Sequence, residues 1–165
     1  MSRKLITLTS DFGVQTQGVG TMEVIARSIA PEAHVVHLMH GLPEFDILSA
    51  ARTMETVRFL PSGVHVCVCD PGVGTARRGV AIEVARGDFF VGPDNGIFSS
   101  ACRLLGGVKR VCQLTNDEFH RKPVSPIFHG RDIFAPVAAH LATGVAIERV
   151  GPAVDPKSLA QSIGR

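Results

Sequence analysis

The chain has no tryptophan and no tyrosine, so any aromatic stacking on a ligand falls to its nine phenylalanines. Charge of one sign is also scarce: 17 basic and 15 acidic residues leave a formal +2. That balance gives no electrostatic footprint for nucleic acid, and no Lys/Arg stripe with interleaved aromatics is present. No apolar run reaches the ~18 residues that a membrane-spanning helix requires, so neither nucleic acid nor membrane is expected as a partner. Cysteine is sparse, and Cys67, Cys69, Cys102 and Cys112 form no CxxC pair and no finger-like spacing. Cys67 and Cys69 share an apolar run, where thiols act as small buried hydrophobes. With no secretory signal in the sequence, such thiols point to a reducing cytoplasm.

What remains is an ordinary folded chain of 165 residues, 45% apolar and 19% charged. That length suits one domain, burying roughly two-thirds of its unfolded surface. Strand and helix patterns alternate. Strands are predicted at Lys4–Thr9, His34–Met39, Val64–Cys69 and Val108–Leu114, with Val80–Val84 and Asp88–Val91 as a hairpin pair. Helices are predicted at residues 18–30 (ended by Pro31), at Asp46–Thr56, from Asn95-Gly96 through Leu105, and at Ile133–Gly144 with Gly144 as its C-cap. The fold class that follows is α/β, a three-layer sandwich with a mainly parallel central sheet. The segment after Gly151 has two prolines and no strand pattern, and reads as a boundary tail over residues 153–165.

In such sheets the polar loops at the C-terminal strand ends build the ligand site. Three qualify: Ser10–Gly13, Asp70–Arg78 and Phe128–Asp132. Asp70-Pro71-Gly72-Val73-Gly74-Thr75-Ala76-Arg77-Arg78 puts a carboxylate after a buried strand, then a Gly-rich turn, then two arginines. Local spacing equally permits a tight connection with a turn-capping Asp and solvated arginines. It matches neither the dinucleotide fingerprint nor the P-loop. His129, between Phe128 and Gly130, has the residue type of a general base, while Arg131 and Asp132 can simply pair and cap the next helix. Asp11 can accept two ribose hydroxyls or form an Asx turn. Pro93-Asp94-Asn95-Gly96 is the strongest turn signal. His34, His37 and His40 are three apart, but on a strand His37 points away from the other two, so no metal site is expected.

Six ordered blocks, TLTSDFG (7–13), VGTMEVI (19–25), HGLPEFDI (40–47), CDPGVGTARRGVAIEV (69–84), FVGPDNGI (90–97) and FHGRDIFAPVAAHLATG (128–144), together resemble one family. This is the SAM hydroxide adenosyltransferase family, related to the bacterial fluorinase and chlorinase. The resemblance covers residues 5 to about 152 and implies an N-terminal α/β domain of that type over residues 1–152. It implies a SAM hydrolase that makes adenosine and methionine, with no cofactor, SAM being the substrate. Carried over by motif, it makes Asp70, Arg77 and His129 the water-activating catalytic set. Asp11, Phe12, Phe45, Asn95, Phe128 and Gly130 become substrate-binding residues. It also implies a homotrimer and a C-terminal β domain that this sequence does not contain. Two departures from the pattern stand out. The run Val14-Gln15-Thr16-Gln17-Gly18 lacks the family's acidic and aromatic residues, and His37 stands where an Asp is usual. Three readings follow: a hydrolase completed by a further domain or partner, a truncated or degenerate SAM- or adenosine-binding module without turnover, and an unrelated small-molecule α/β hydrolase.

Overall fold

Residues 5–162 are described by the structure, a computed structural model. Lys4, which opens the first predicted strand, and residues 163–165 of the tail lie outside the described residues. The elements run β1 (Leu5–Ser10), α1 (Gln17–Ile29), β2 (His34–Met39), α2 (Ile47–Glu55), β3 (Val64–Val68), β4 (Gly79–Val84), β5 (Phe89–Pro93), α3 (Ser99–Leu104), β6 (Val108–Gln113) and α4 (Ala135–Ala142).

The six strands form one sheet in the order β2-β1-β3-β5-β4-β6. β2, β1, β3 and β5 pair parallel, whereas β4 is antiparallel to both β5 and β6. The expected mainly parallel sheet is therefore corrected to a mixed one. The reason is connection length. Parallel neighbours need a crossover of a dozen or more residues, and only Ala85–Asp88 separates β4 from β5, enough for a hairpin alone.

Strand residues alternate between faces, and the core divides accordingly. Ile6, Leu8, Val64, Val66 and Val91 pack with Met22 and Ala26 of α1 and Ala138 and Leu141 of α4. Cys67, Val80, Ile82 and Phe90 pack with Ala50 and Met54 of α2 and Ala101 and Cys102 of α3. Helices thus cover both faces, giving the three layers expected from the alternation. Each fully buried large aliphatic or aromatic side chain contributes roughly 1.5–3 kcal/mol.

Three helix ends differ from expectation for local reasons. Asp46 is the N-cap of α2 rather than its first residue, its carboxylate accepting from Ser49 N at 2.9 Å. α3 starts at Ser99, not Asn95, because Gly96 sits at φ 97° in the left-handed region, which a right-handed helix cannot use. α4 is preceded by a π-helical turn, Gly130–Phe134, which no 3.6-residue pattern signals. After Gly151 the chain runs beside β6, with Gln113 N donating to Pro152 O and Val154 N to Val111 O, both at 2.9 Å. Arg78 then donates to Ser158 O at 2.8 Å, and Ala160 N to Asp94 Oδ1 at 2.9 Å.

A second polar cluster lies at the other end of the sheet. Thr7, His65 and Asp88 are fully buried, linked by Thr7 Oγ1 to His65 Nδ1 at 2.9 Å and His65 Nε2 to Asp88 Oδ1 at 3.0 Å. Arg86 adds two bonds to Asp88, each 2.7 Å. Burial works against the Asp88 charge, but the bonds from Arg86 and His65 prevail and hold its carboxyl well below the usual range. Thr7, His65 and Asp88 are closed to solvent and line no cavity with the loops at the C-terminal strand ends, so their part is structural.

Candidate active site

Asp70 follows β3, two residues past its last strand residue, and Arg77 precedes β4. The turn between them folds the guanidinium back on the carboxylate. Arg77 Nε donates to Asp70 Oδ1 at 3.0 Å and Nη2 to Oδ2 at 2.5 Å, the two-pronged geometry that suits arginine. Arg77 Nη2 also lies 3.0 Å from His129 Nδ1. A guanidinium has no acceptor, so His129 Nδ1 must accept and the ring proton resides on Nε2. Burial lowers the His129 pKa, and the Arg77 charge lowers it further. The imidazole is therefore held neutral. The Arg77 guanidinium also sits 5.4 Å from the Phe134 ring centroid. The three residues expected to act together are thus one connected cluster.

That cluster opens onto a cavity of about 420 Å³ lined in part by Asp11, Phe12, Phe45, Asp70, Phe128, His129 and Gly130. Arg77 is not on the wall; it lies behind the other two and orients both. Phe12 and Phe128 meet edge to face, with centroids 5.5 Å apart. Gly130 carries no side chain because a Cβ there would stand 3.1 Å from Met22 Sδ and 3.3 Å from Val68 Cγ2. The π-helical turn beginning at Gly130 sets His129 at the cavity, so the Phe128–Asp132 loop enters a helix instead of leaving a strand. Arg131 and Asp132 pair with each other, as one local reading had it, at 2.7 and 2.9 Å.

Asp11 follows β1, and its Oδ2 accepts from Phe45 N at 2.8 Å. Asp11 also lines the cavity. Phe45 adopts φ 59°, the non-glycine residue in the left-handed region among those described. Such a backbone stores on the order of 1–2 kcal/mol and tends to occur where a site demands it. The residue is 55% exposed, on the wall of the cavity. Asn95 stands apart, its amide donating to Cys69 O at 2.8 Å and supporting the end of β3. Cys69 is chemically quiet, its thiol pushed up to about 12 by burial and by the Asp11 charge.

Sequence reasoning passed over Glu44, Val73 and Ile127, all on the cavity wall. Glu44 was within reach, being in the HGLPEFDI block. Ile127, 80% exposed beside a half-buried Phe128, had no pattern to betray it. Two residues of the departing run, Thr16 and Gly18, line a hollow together with Phe12, Ile127 and Phe128. The histidine geometry also needs correcting. Strand β2 ends at Met39, and the register shift between Leu8 and Thr9 lets the chain turn. His37 and His40 consequently meet, Nδ1 to Nε2, at 2.8 Å, instead of pointing apart. Among the described residues no group of three His, Cys, Asp or Glu side chains is placed to hold a metal ion.

Comparison with known proteins identifies the family of the chain. Residues 6–151 match the model of the SAM hydroxide adenosyltransferase N-terminal domain. An (R)-S-adenosyl-L-methionine hydrolase of Salinispora arenicola is 43% identical over 157 residues, covering 94% of this chain and 60% of that protein. A fluorinase of Nocardia brasiliensis is 25% identical over 90% of this chain and 57% of its own length. A crystal structure of an uncharacterized conserved protein from Thermotoga maritima superposes with a TM-score of 0.91 at 32% identity, over 97% of this chain and 61% of that one. The chain spans about 60% of the length of the curated relatives it matches. On this evidence the chain belongs to the SAM hydroxide adenosyltransferase family, whose N-terminal domain it carries.

Proposed function

We propose that this chain serves the hydrolysis of S-adenosyl-L-methionine to adenosine and L-methionine. The observation that carries the reading is the Asp70–Arg77–His129 cluster opening on one cavity with Asp11 and three phenylalanines. In the reaction the water oxygen forms a bond to the ribose C5′ while the C5′–S bond breaks. Its electron pair returns to sulfur, and neutral methionine leaves. Sulfonium is already an activated leaving group, so the displacement draws on no cofactor. The protein must supply an aligned, deprotonated nucleophile in a dry pocket.

The side chains divide that work. Asp70, the anion on the wall, takes the proton of water. Neutral His129 presents Nε2–H to the water oxygen and aims it. Arg77 holds both and stabilises developing hydroxide through its positive charge. Asp11 accepts the ribose hydroxyls, and Phe12, Phe45 and Phe128 form apolar walls. Anion and sulfonium neutralise each other on the way to the transition state, which a phenylalanine-lined, low-dielectric site favours. The (R) sulfonium epimer named for the relatives is the expected substrate. A cytoplasmic homotrimer completed by a C-terminal β domain belongs to the same reading. Sedimentation velocity and separate titration of the two epimers test those parts.

The mouth of the cavity, with Phe45 and Ile127 exposed, supports a second reading, a SAM- or adenosine-binding module without turnover. Calorimetric titration with SAM and adenosine, followed by chromatography for adenosine and methionine, separates the two. In ¹⁸O water, label in the 5′ position is expected. His129→Ala should bind SAM and lose most turnover; full activity there, or label found elsewhere, removes the mechanism.

A further inference from the structure

Behind the turn that carries Asp11 runs a chain of hydrogen bonds that the mechanism does not use. Ser10 Oγ lies 2.7 Å from His40 Nδ1 and accepts from Phe12 N at 3.3 Å. His40 Nε2 lies 2.8 Å from His37 Nδ1, and His37 Nε2 lies 2.7 Å from Glu23 Oε2 on α1. Arg27 donates to the other Glu23 oxygen at 2.7 Å. Gly13 N donates to His40 O at 2.7 Å, so side chain and backbone of His40 both grip the Ser10–Gly13 turn.

The direction of every bond follows from its ends. Glu23 can only accept, its charge favoured by the bond to His37 and then by Arg27. His37 Nε2 therefore donates. In the neutral ring Nδ1 must then accept, which puts the His40 proton on Nε2. His40 Nδ1 is left bare and accepts from the Ser10 hydroxyl, whose oxygen receives the Phe12 amide. No donor is wasted and none is doubled. His40 is only 6% exposed, and burial and the neighbouring His37 push its pKa down to about 4, so the ring stays neutral.

We propose that His40 is a positioning residue for Asp11: through Ser10 it locks the turn that presents the Asp11 carboxylate to the cavity, with His37 and Glu23 fixing its tautomer. This rests on the reading that Asp11 holds the ribose. His40 lines no part of the cavity and touches no reacting atom; it acts through Ser10. A carboxylate already tied on one side to Phe45 N needs its own backbone fixed on the other, and His40 supplies that second constraint.

The test uses the full chain and its Ser10→Ala, His40→Ala and His40→Asn variants, with adenosine as the probe and far-UV circular dichroism to verify folding. Adenosine should bind His40→Ala and Ser10→Ala roughly tenfold more weakly, the effect of one lost buried bond. Asn places an oxygen where Nδ1 stood, so His40→Asn should recover most of the affinity. Where SAM turnover is measurable, KM should rise and kcat hold. Imidazole ¹⁵N shifts should report His40 protonated on Nε2. Unchanged adenosine affinity in folded Ser10→Ala, or an Nδ1-protonated His40, overturns the positioning role while leaving the functional reading intact. Should His40→Ala fail to fold, Ser10→Ala and His40→Asn decide. A wild-type chain that binds neither adenosine nor SAM, with the tautomer as described, overturns the functional reading and the proposal with it.

Discussion

Replacing Arg77 by methionine removes the partner of a carboxylate that cannot move into water. The Arg77 side chain is 9% exposed and that of Asp70 3%. Methionine keeps most of the packing against Phe134 but returns neither of the two bonds to Asp70, nor the one to His129. Breaking a pair this deeply set costs about 3–5 kcal/mol, chiefly because one charge stays behind unpaired. Asp70 lines the cavity instead of lying deep in the core, so the low end of that range, about 3 kcal/mol, is the expected figure. Domains of this size have only about 5–15 kcal/mol in total, so the loss is easily seen. With no Trp or Tyr to report unfolding by fluorescence, urea titration followed by far-UV circular dichroism is the assay. The decisive comparison is a double-mutant cycle. Asp70→Asn has no charge to strand, so adding Arg77→Met to it should cost at least about 1.5 kcal/mol less than in the wild type. A cost below about 1 kcal/mol for Arg77→Met alone, or an equal cost in both backgrounds, refutes the argument. Turnover measurements on Arg77 variants carry weight only once this stability term is known.

Further expectations concern pH and one glycine. The His40 pKa is lowered to about 4 in the fold, so on acidification the unfolded chain takes up the proton first. Stability should therefore fall from about pH 6.5 downward and level off near pH 4, by about 3 kcal/mol at most; His40→Asn should flatten that slope in urea titrations. Because burial and Arg77 depress the His129 pKa, kcat/KM should stay level through pH ~6.5 and drop only in more acid solution; a midpoint at or above 6.5 contradicts a neutral His129 held by Arg77. Gly74, at φ 76°, has Pro126 O only 2.4 Å from where a Cβ would stand. Gly74→Ala should cost about 1–3 kcal/mol in thermal unfolding and part the Asp70–Arg78 turn from the loop leading to His129, lowering turnover.

The strands were readable because each is a short, apolar, largely β-branched run, and Val64–Cys69 announced a two-sided core by having almost no polar alternation. The hairpin of β4 and β5 was readable too. What it did not reveal is that β4 inserts between β5 and β6 and makes both of its pairings antiparallel, since order in a sheet is set by contacts between distant segments. In the site, the family resemblance grouped Asp70, Arg77 and His129, but it did not show that Arg77 lies behind the wall and fixes the tautomer of His129. That is a property of where the turn folds back. Asn95 carried a strong turn signal and proves to hold Cys69 O, a contact 26 positions away that no local pattern encodes. The meeting of His37 with His40 depends on a one-residue irregularity beside β1, below the resolution of alternation arguments.

The segment beyond Gly151 also decides which border of the sheet is accessible. By taking up the amide of Gln113 and the carbonyl of Val111, it fills hydrogen-bonding seats that β6 would otherwise offer to a passing strand. The opposite border is β2, along which no further strand pairs among the described residues. Any association by strand addition is thereby steered to a single side, along β2.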